Sequence, residues 1–231
     1  MRASTALSLF ILTLIGKWSV GGIATPTHAQ SVCHNSNIPP NVSFRIEPGK
    51  IAVNNGYSRS QISHLPGRRP ASSAFGALWQ HVGLTLTERQ FSMRVTVRAK
   101  QIGNNRFCGQ LSGVKAQLGY DKLRVYIARK YRPGSCQYRS ILDHENRHVA
   151  VFRDTLIKYA PRIERRLKRI ANSLGPIIAV SADQAAEVLQ KKLQRELKPL
   201  FREMDREMDF RNAKLDSPQN YRKEQARCSQ W

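Results

Sequence analysis

The most informative segment of this chain is Asp143-His144-Glu145-Asn146-Arg147-His148, which contains the pattern His-Glu-x-x-His. On an α-helix, residues four positions apart are separated by roughly 40° of rotation, so His144 and His148 can reach one common point. Glu145 points about 100° away from His144, beside that point. Two neutral histidines are typical ligands of Zn²⁺, and a neighbouring glutamate can take a proton from water that the metal activates. The spacing therefore predicts a zinc site with Glu145 as the general base of a hydrolase.

The residues around this motif predict the helix that the spacing requires. Pro133-Gly134-Ser135 is typical of a turn, and Ser135 is suited to cap the N-terminus of a helix. We expect the helix to end or bend at Pro161, because proline lacks a backbone N–H. Apolar residues recur in phase with the two histidines and place the imidazoles on the inward side: Ile141, Val151 or Phe152, Leu156 and Tyr159.

An alternating pattern before the helix predicts a β-sheet. Apolar and polar residues alternate along much of residues 84–131, most regularly over 91–100. A period of two with one polar face indicates an antiparallel sheet covered on one side. Gly103-Asn104-Asn105 and Gly119-Tyr120-Asp121 are typical of hairpin turns. The expected fold class is α+β, with an antiparallel sheet followed by the motif helix and by C-terminal amphipathic helices.

Composition divides the chain into three parts. Residues 1–29 are typical of a secretory signal peptide, with a basic start, an apolar run and small residues before the cleavage point. Residues 30–175 are predicted to form the α+β domain, including a short helix at 72–81. Residues 176–231 are predicted to form a helical extension, because an apolar stripe follows a capping residue, Ser181, and would pack on the same core. After the signal peptide, no window is apolar enough to span a bilayer.

The charge of the chain favours anionic partners. It carries 38 lysines and arginines against 16 acidic residues, a formal net charge of +22. An anionic envelope polymer, such as lipopolysaccharide or cell wall, is therefore a candidate partner. Nucleic acid is the usual partner of a basic protein, but the signal peptide argues against it and predicts an exported, periplasmic or secreted location.

Four cysteines predict two disulfides in an exported chain. Three connectivities are possible. We favour Cys108–Cys136, which would join the sheet to the start of the motif helix, together with Cys33–Cys228, which would join the two ends of the chain. The spacing does not resemble a zinc site built from thiolates.

The motif resembles that of the zincin metallopeptidases. More narrowly, residues 84–160 are similar in layout to a family of uncharacterised bacterial exported proteins described as secreted zinc-dependent proteases, in which a cysteine-bearing β region precedes the motif helix. The resemblance implies Zn²⁺ as the cofactor, His144 and His148 as ligands, Glu145 as the general base, and a peptide or protein substrate. Arg147 departs from the pattern, since zincin motifs usually carry uncharged residues between the histidines.

The sequence leaves the third metal ligand open among three acidic residues. Asp154 follows His148 by six positions, a spacing at which some zincins place their last ligand. Glu164 resembles the downstream glutamate of other zincins, although it comes early. Glu187, on a later helix, is the third candidate. The sequence is also compatible with two alternative hypotheses on function. One is a non-enzymatic basic envelope protein that binds anionic polymer, and the other is an inactive zincin-like scaffold.

Overall fold

A computed structural model describes Cys33, residues 38–66 and residues 82–231. The predicted signal peptide at 1–29 and the predicted helix at 72–81 lie outside these residues. The described part contains both helices and strands, as the α+β prediction requires. In chain order the elements are β1 (Asn41–Glu47), β2 (Lys50–Asn54), α1 (Arg59–Ser63), β3 (Gly83–Gly103), β4 (Arg106–Ile127), α2 (Cys136–Ser173), β5 (Ile177–Ala179), α3 (Ala182–Leu215) and α4 (Pro218–Gln225).

Strand β4 is the centre of the sheet, since all the other strands pair with it. β3 and β5 run antiparallel to β4, whereas β1 and β2 run parallel to it. The sheet is therefore mixed, and the prediction of an antiparallel sheet is wrong for β1 and β2. Parallel pairing is possible for these two strands because the whole of β3 lies between them and β4 along the chain, and a long connection can reverse direction.

The hairpin predicted at Gly103-Asn104-Asn105 is confirmed. Gly103 pairs with Arg106, so β3 turns directly into β4. Asn105 has a φ of 50°, a left-handed conformation that asparagine tolerates better than most residues. This turn places two long strands side by side and builds most of the sheet.

The second predicted hairpin is wrong, because β4 continues through Gly119-Tyr120-Asp121. The register shifts there instead: Tyr120 pairs with Arg89, and Leu123 pairs with Thr87. One extra residue on β4 therefore forms a bulge, which bends the strand. The bulge also restores the phase of the pattern, since Tyr120 and Leu123 are both buried although they are three positions apart. The glycine marked a bulge rather than a turn.

The turn between β1 and β2 follows the same irregularity. The two strands pair with successive stretches of β4, before and after the bulge. Gly49 joins them with a φ of +77°, where a side chain would be strained, and a Cβ there would lie 3.0 Å from the Cβ of Tyr120. Glycine thus allows the turn to lie directly against the bend of β4.

Helix α2 carries the motif. Its N-terminus is capped as predicted: the hydroxyl of Ser135 accepts a hydrogen bond of 3.1 Å from the backbone N–H of Tyr138. The helix does not end at Pro161 but continues to Ser173. Beyond the proline, Ile163, Leu167 and Ile170 are buried, and this apolar packing outweighs the one backbone hydrogen bond that proline cannot make.

Helix α3 packs on the same core as α2 and the sheet. The hydroxyl of Ser181 accepts from the backbone N–H of Gln184 at 3.1 Å, which caps the helix as expected. No helix in the described part of the chain is long and apolar enough to cross a membrane. The apolar stripe is fully buried at four positions and belongs to the core cluster: Leu189, Leu193, Leu197 and Met204.

The described chain contains two disulfides, as predicted, but their pairing differs from the favoured one. Cys33 pairs with Cys108, and Cys136 pairs with Cys228. The predicted Cys108–Cys136 bond is wrong because Cys108 lies near the start of β4, whereas Cys136 follows its end. The observed Cys136–Cys228 bond instead fixes the segment after α3 to the first turn of the motif helix.

Candidate metal centre

Three ligand atoms from two distant parts of the chain meet beside the motif. The Nε2 atoms of His144 and His148 are 3.1 Å apart. Oδ1 of Asp216 lies 3.2 Å from Nε2 of His144 and 3.1 Å from Nε2 of His148. Among the described residues, this is a group whose ligand atoms could hold a metal ion. The structure thus brings together the two predicted ligands and adds a carboxylate oxygen of Asp216 as a third candidate ligand atom.

The end of α3 positions Asp216. The helix stops at Leu215, because Pro218 begins the next helix and Ser217 is extended to cap it, with its hydroxyl 3.4 Å from the backbone N–H of Asn220. Asp216 is the C-terminal capping residue of α3, and its backbone N–H still bonds to Asn212. The corner between α3 and α4 therefore projects this carboxylate over the motif helix.

The structure groups Asp216 with the two histidines, and each of the three acids that the sequence offered as third ligand has an ion-pair partner elsewhere. Asp154 lies 3.4 Å from Arg211, Glu164 lies 2.7 Å from Lys168, and Glu187 lies 2.5 Å from Lys191. The continuous helix keeps Asp154 and Glu164 away from the histidines. One feature of the sequence could have indicated the position of Asp216. This residue follows the long apolar stripe and directly precedes Ser217 and Pro218, which are typical of a helix boundary.

Asn212 sets the orientation of His148. Nδ1 of His148 donates to the amide oxygen of Asn212 at 2.9 Å, which leaves Nε2 facing the other two ligand atoms. A hydrogen bond of this kind to the second ring nitrogen is a regular feature of metal-binding histidines. Burial by itself lowers the pKa of His148, but the hydrogen bond to Asp216 and the charges of Glu145 and Asp216 outweigh it and raise the pKa to about 9.

Asp216 is held as an anion. Burial raises its pKa, but hydrogen bonds from His144, His148 and Tyr221 hold it well below its usual range. The hydroxyl of Tyr221 donates to Oδ1 of Asp216 at 2.8 Å, and the tyrosine ring stacks on His144 with centroids 5.1 Å apart. The electrostatics of the group thus favour one positive charge at its centre, either as a proton on His148 or as a metal cation.

Glu145 lies beside the ligand group, as the helix geometry predicted, and is fixed by strand β3. The hydroxyl of Thr85 donates to Oε2 of Glu145 at 2.7 Å. A Cβ at Gly83 would lie 2.5 Å from Oε1, so only glycine leaves room for this carboxylate against the strand. Burial raises the pKa of Glu145, whereas the adjacent imidazoles and the hydrogen bond from Thr85 lower it. The effect of burial is the larger one, so the pKa is raised overall. A carboxylate with a raised pKa is suited to accept a proton.

A cavity of about 230 Å³ opens beside Glu145 and His144. Buried polar atoms are nearly always hydrogen-bonded in proteins, so orphans indicate a site for a ligand or ion. Four buried side-chain atoms in the described chain have no hydrogen-bond partner, and three of them belong to residues that line this cavity: Nε of Arg59, Nδ1 of His144 and Oε2 of Glu224. Of these, Oε2 of Glu224 lies 3.4 Å from the guanidinium of Arg227. The fourth is Nε of Arg147, whose guanidinium bonds Glu224.

The spacing of the three donor atoms is compatible with a tetrahedral metal ion such as zinc. Ligand atoms about 2.0–2.1 Å from zinc in a tetrahedron are separated by about 3.3 Å, close to the 3.1–3.2 Å between the three atoms here. Catalytic zinc sites have three protein ligands and an open fourth position. The side chain of Asp216 is 43% exposed, whereas the side chains of His144 and His148 are only 6% and 10% exposed.

Comparison with known proteins adds no assignment: the chain matches no family model, no curated protein and no solved structure.

Proposed function

We propose that this protein is an exported zinc-dependent hydrolase that acts on peptides or proteins. The observation that carries the proposal is the meeting of His144, His148 and Asp216 at mutual distances of 3.1–3.2 Å, with Glu145 buried beside them. The resemblance of the motif to zincin metallopeptidases supports the choice of zinc and of a peptide bond. Two disulfides support export to an oxidising compartment, periplasmic or extracellular.

The residues of the site have separable roles. His144, His148 and Asp216 would hold the zinc ion, which when bound supplies a Lewis acid for the scissile carbonyl and activates water. Thr85 binds Oε2 of Glu145, so Oε1 is the atom that takes a proton from the attacking water and passes it to the leaving amine. Asn212 orients His148 through Nδ1.

Metal analysis tests this proposal. Protein purified without a histidine tag and dialysed extensively should retain one zinc ion per chain, whereas His144→Ala should retain none. Zinc-loaded wild type should hydrolyse members of a mixed peptide library, and Glu145→Gln should keep the zinc but lose hydrolysis. Absence of stoichiometric zinc from the wild type would contradict the proposal. Zinc without hydrolysis would favour an inactive scaffold.

A second candidate function is supported by a basic cavity far from the motif. A space of about 370 Å³ between the end of α2 and the middle of α3 is lined by four cationic side chains and one acid. Arg166 pairs with Glu196 at 2.8 Å. Arg169, Lys192 and Arg195 have no such partner among the described residues, so a polyanion could neutralise them. Binding of anionic envelope polymer is therefore the alternative function.

A further inference from the structure

The cavity beside Glu145 has a cationic and apolar part that the proposed chemistry does not use. Arg59 and Lys130 contribute the positive charge. The volume of about 230 Å³ is below the roughly 300 Å³ at which small-molecule sites begin, so the space suits a single residue of a substrate. The apolar part of the lining is formed by the residue before β3, by one residue of α2, and by residues outside the helices and strands: Val82, Ile141, Tyr131 and Trp231.

Arg59 is the residue of the cavity whose unsatisfied hydrogen-bonding capacity indicates a ligand. Its Nε atom is buried and has no hydrogen-bond partner, and no carboxylate among the described residues pairs with its guanidinium. Arg59 as a whole is half-buried, and a partly desolvated cation without a partner costs free energy, which an anion bound in the cavity would offset. The planar guanidinium matches a carboxylate in particular, because two parallel N–H groups can bond its two oxygens.

The backbone around Arg59 is held in place. Arg59 is the first residue of α1, and the preceding Ser58 forms a reciprocal cap with Gln61: the backbone N–H of Gln61 donates to the Ser58 hydroxyl at 3.2 Å, and the backbone N–H of Ser58 donates to Oε1 of Gln61 at 2.8 Å. Ile62, in the same turn, is fully buried in the core. The guanidinium is therefore presented from a fixed base.

Lys130 adds a second cation at the edge of the cavity. Its Nζ lies 5.4 Å from the ring centroid of Tyr131, a distance at which a cation is attracted to the ring face. Lys130 is exposed, whereas Tyr131 is buried. The lysine can therefore attract an anion from solvent, while Arg59 binds it inside.

We propose that this cavity binds a substrate residue that carries a free carboxylate, through the guanidinium of Arg59. The inference rests on the proposed hydrolase function, because the cavity is shared with Glu145 and His144. It specifies the substrate class as peptides with a carboxylate next to the scissile bond and an apolar group against Ile141 and Trp231. The carboxylate has two possible sources: the C-terminus of the peptide, or an aspartate or glutamate side chain.

Binding measurements test the inference independently of turnover. Zinc-loaded Glu145→Gln protein and zinc-free wild type are titrated calorimetrically with acetyl-Phe-Leu, with its C-terminal amide, and with amidated peptides that carry Asp or Asn in place of Leu. Charged hydrogen bonds of this kind correspond to about tenfold or more in affinity, so the carboxylate member of one pair should bind at least about tenfold tighter than its neutral partner. The pair that shows the preference identifies the source of the carboxylate.

Substitution of Arg59 tests whether this residue is responsible. Arg59→Met should remove the preference for the carboxylate, and Arg59→Lys should keep only part of it. Arg94→Met, which removes an exposed arginine of β3 that does not line the cavity, should leave the preference unchanged. Circular dichroism establishes that each variant is folded.

The possible failures are distinguishable. Equal binding of both members of each pair, or no binding of any peptide, overturns the inference even if zinc is bound and peptides are cleaved. A preference that persists in Arg59→Met also overturns it. Failure to retain zinc overturns the proposed function instead, and the zinc-free titration still reports on Arg59.

Discussion

Arg147 of the motif helix forms an ion pair with Glu224 of α4, and the carboxylate of Glu224 is buried, with its side chain 8% exposed. This pairing explains the arginine that departs from the usual pattern between the two histidines. The cation fastens the C-terminal segment to the helix. The Cys136–Cys228 disulfide attaches the residues just after α4 to the first turn of the same helix, so the C-terminal segment is held to α2 at two places.

Removing the charge of Glu224 should loosen this attachment. Glu224→Gln leaves Arg147 without its carboxylate, and since the arginine is 38% exposed, solvent screens part of the loss. We expect the free energy of unfolding to fall by about 1–3 kcal/mol, measured by urea denaturation. Glu47→Gln, at an exposed strand end, is the matched control and should change it little. An unchanged midpoint for Glu224→Gln would contradict the structural role.

Asp216 should be required for metal affinity, whereas Asp154, one of the three acids that the sequence left open as third ligand, should not. Asp216→Asn keeps the shape of the side chain but removes the charge, and we expect zinc affinity to fall by more than about 100-fold, beyond what residues that only orient a ligand contribute. Asp154→Asn is the control and should bind zinc normally. Competition with a chromogenic chelator measures both. Equal affinities would remove Asp216 from the ligand set.

Substitution of Asn212 should also lower the metal affinity, but less than substitution of Asp216. Asn212→Ala removes the acceptor for Nδ1 of His148 while keeping all three ligands. Loss of such an orienting hydrogen bond typically lowers metal affinity about 10–100-fold. The chelator competition should therefore place this variant between wild type and Asp216→Asn, and an affinity equal to that of the wild type would show that the ring is oriented in another way.

Zinc binding should strengthen as pH rises. The pKa of His148 is raised to about 9. Below that pH a proton therefore occupies Nε2 of His148 and competes with the metal for this atom. Between about pH 6.5 and 9 the apparent affinity should rise about tenfold per pH unit for each proton displaced. Calorimetry in buffers of different ionisation enthalpy measures the protons released. Binding without proton release at pH 7 would contradict the raised pKa.

The two disulfides should differ in their effect on the metal site. The Cys136–Cys228 bond closes a separation of 92 residues and the Cys33–Cys108 bond one of 75, so each should stabilise the fold by up to about 4–5 kcal/mol. Replacing Cys136 and Cys228 by serine should also weaken zinc binding, because α4 carries Tyr221, which bonds Asp216. The Cys33/Cys108 double serine variant is the control, and its folded form should bind zinc normally.

Local patterns in the sequence predicted the parts of the site that depend on local geometry. Ser135, His144, Glu145 and His148 lie within fourteen positions on one helix, and helical periodicity alone places the side chains. The hairpin at Gly103-Asn104-Asn105 is local for the same reason.

The remaining parts depend on tertiary contacts that no local pattern contains. Asp216 is 68 residues from His148, and its position follows from how α3 packs. The predicted pairing of Cys108 with Cys136 was wrong because β4 separates Cys108 from the motif helix by about 60 Å of extended chain. The sequence Gly119-Tyr120-Asp121 is compatible with either a turn or a bulge. Only the pairing of β4 with Arg89 and Thr87 of β3 distinguishes the two structures.

A cation shared by His144, His148 and Asp216 would act as a reversible cross-link across those 68 positions, added to the two covalent ones. Folding and metal loading are then thermodynamically linked, so the melting temperature should rise with free zinc concentration and fall in a chelator. In the absence of the ion, the corner between α3 and α4 would still be held to the motif helix by the Cys136–Cys228 disulfide and the Arg147–Glu224 ion pair.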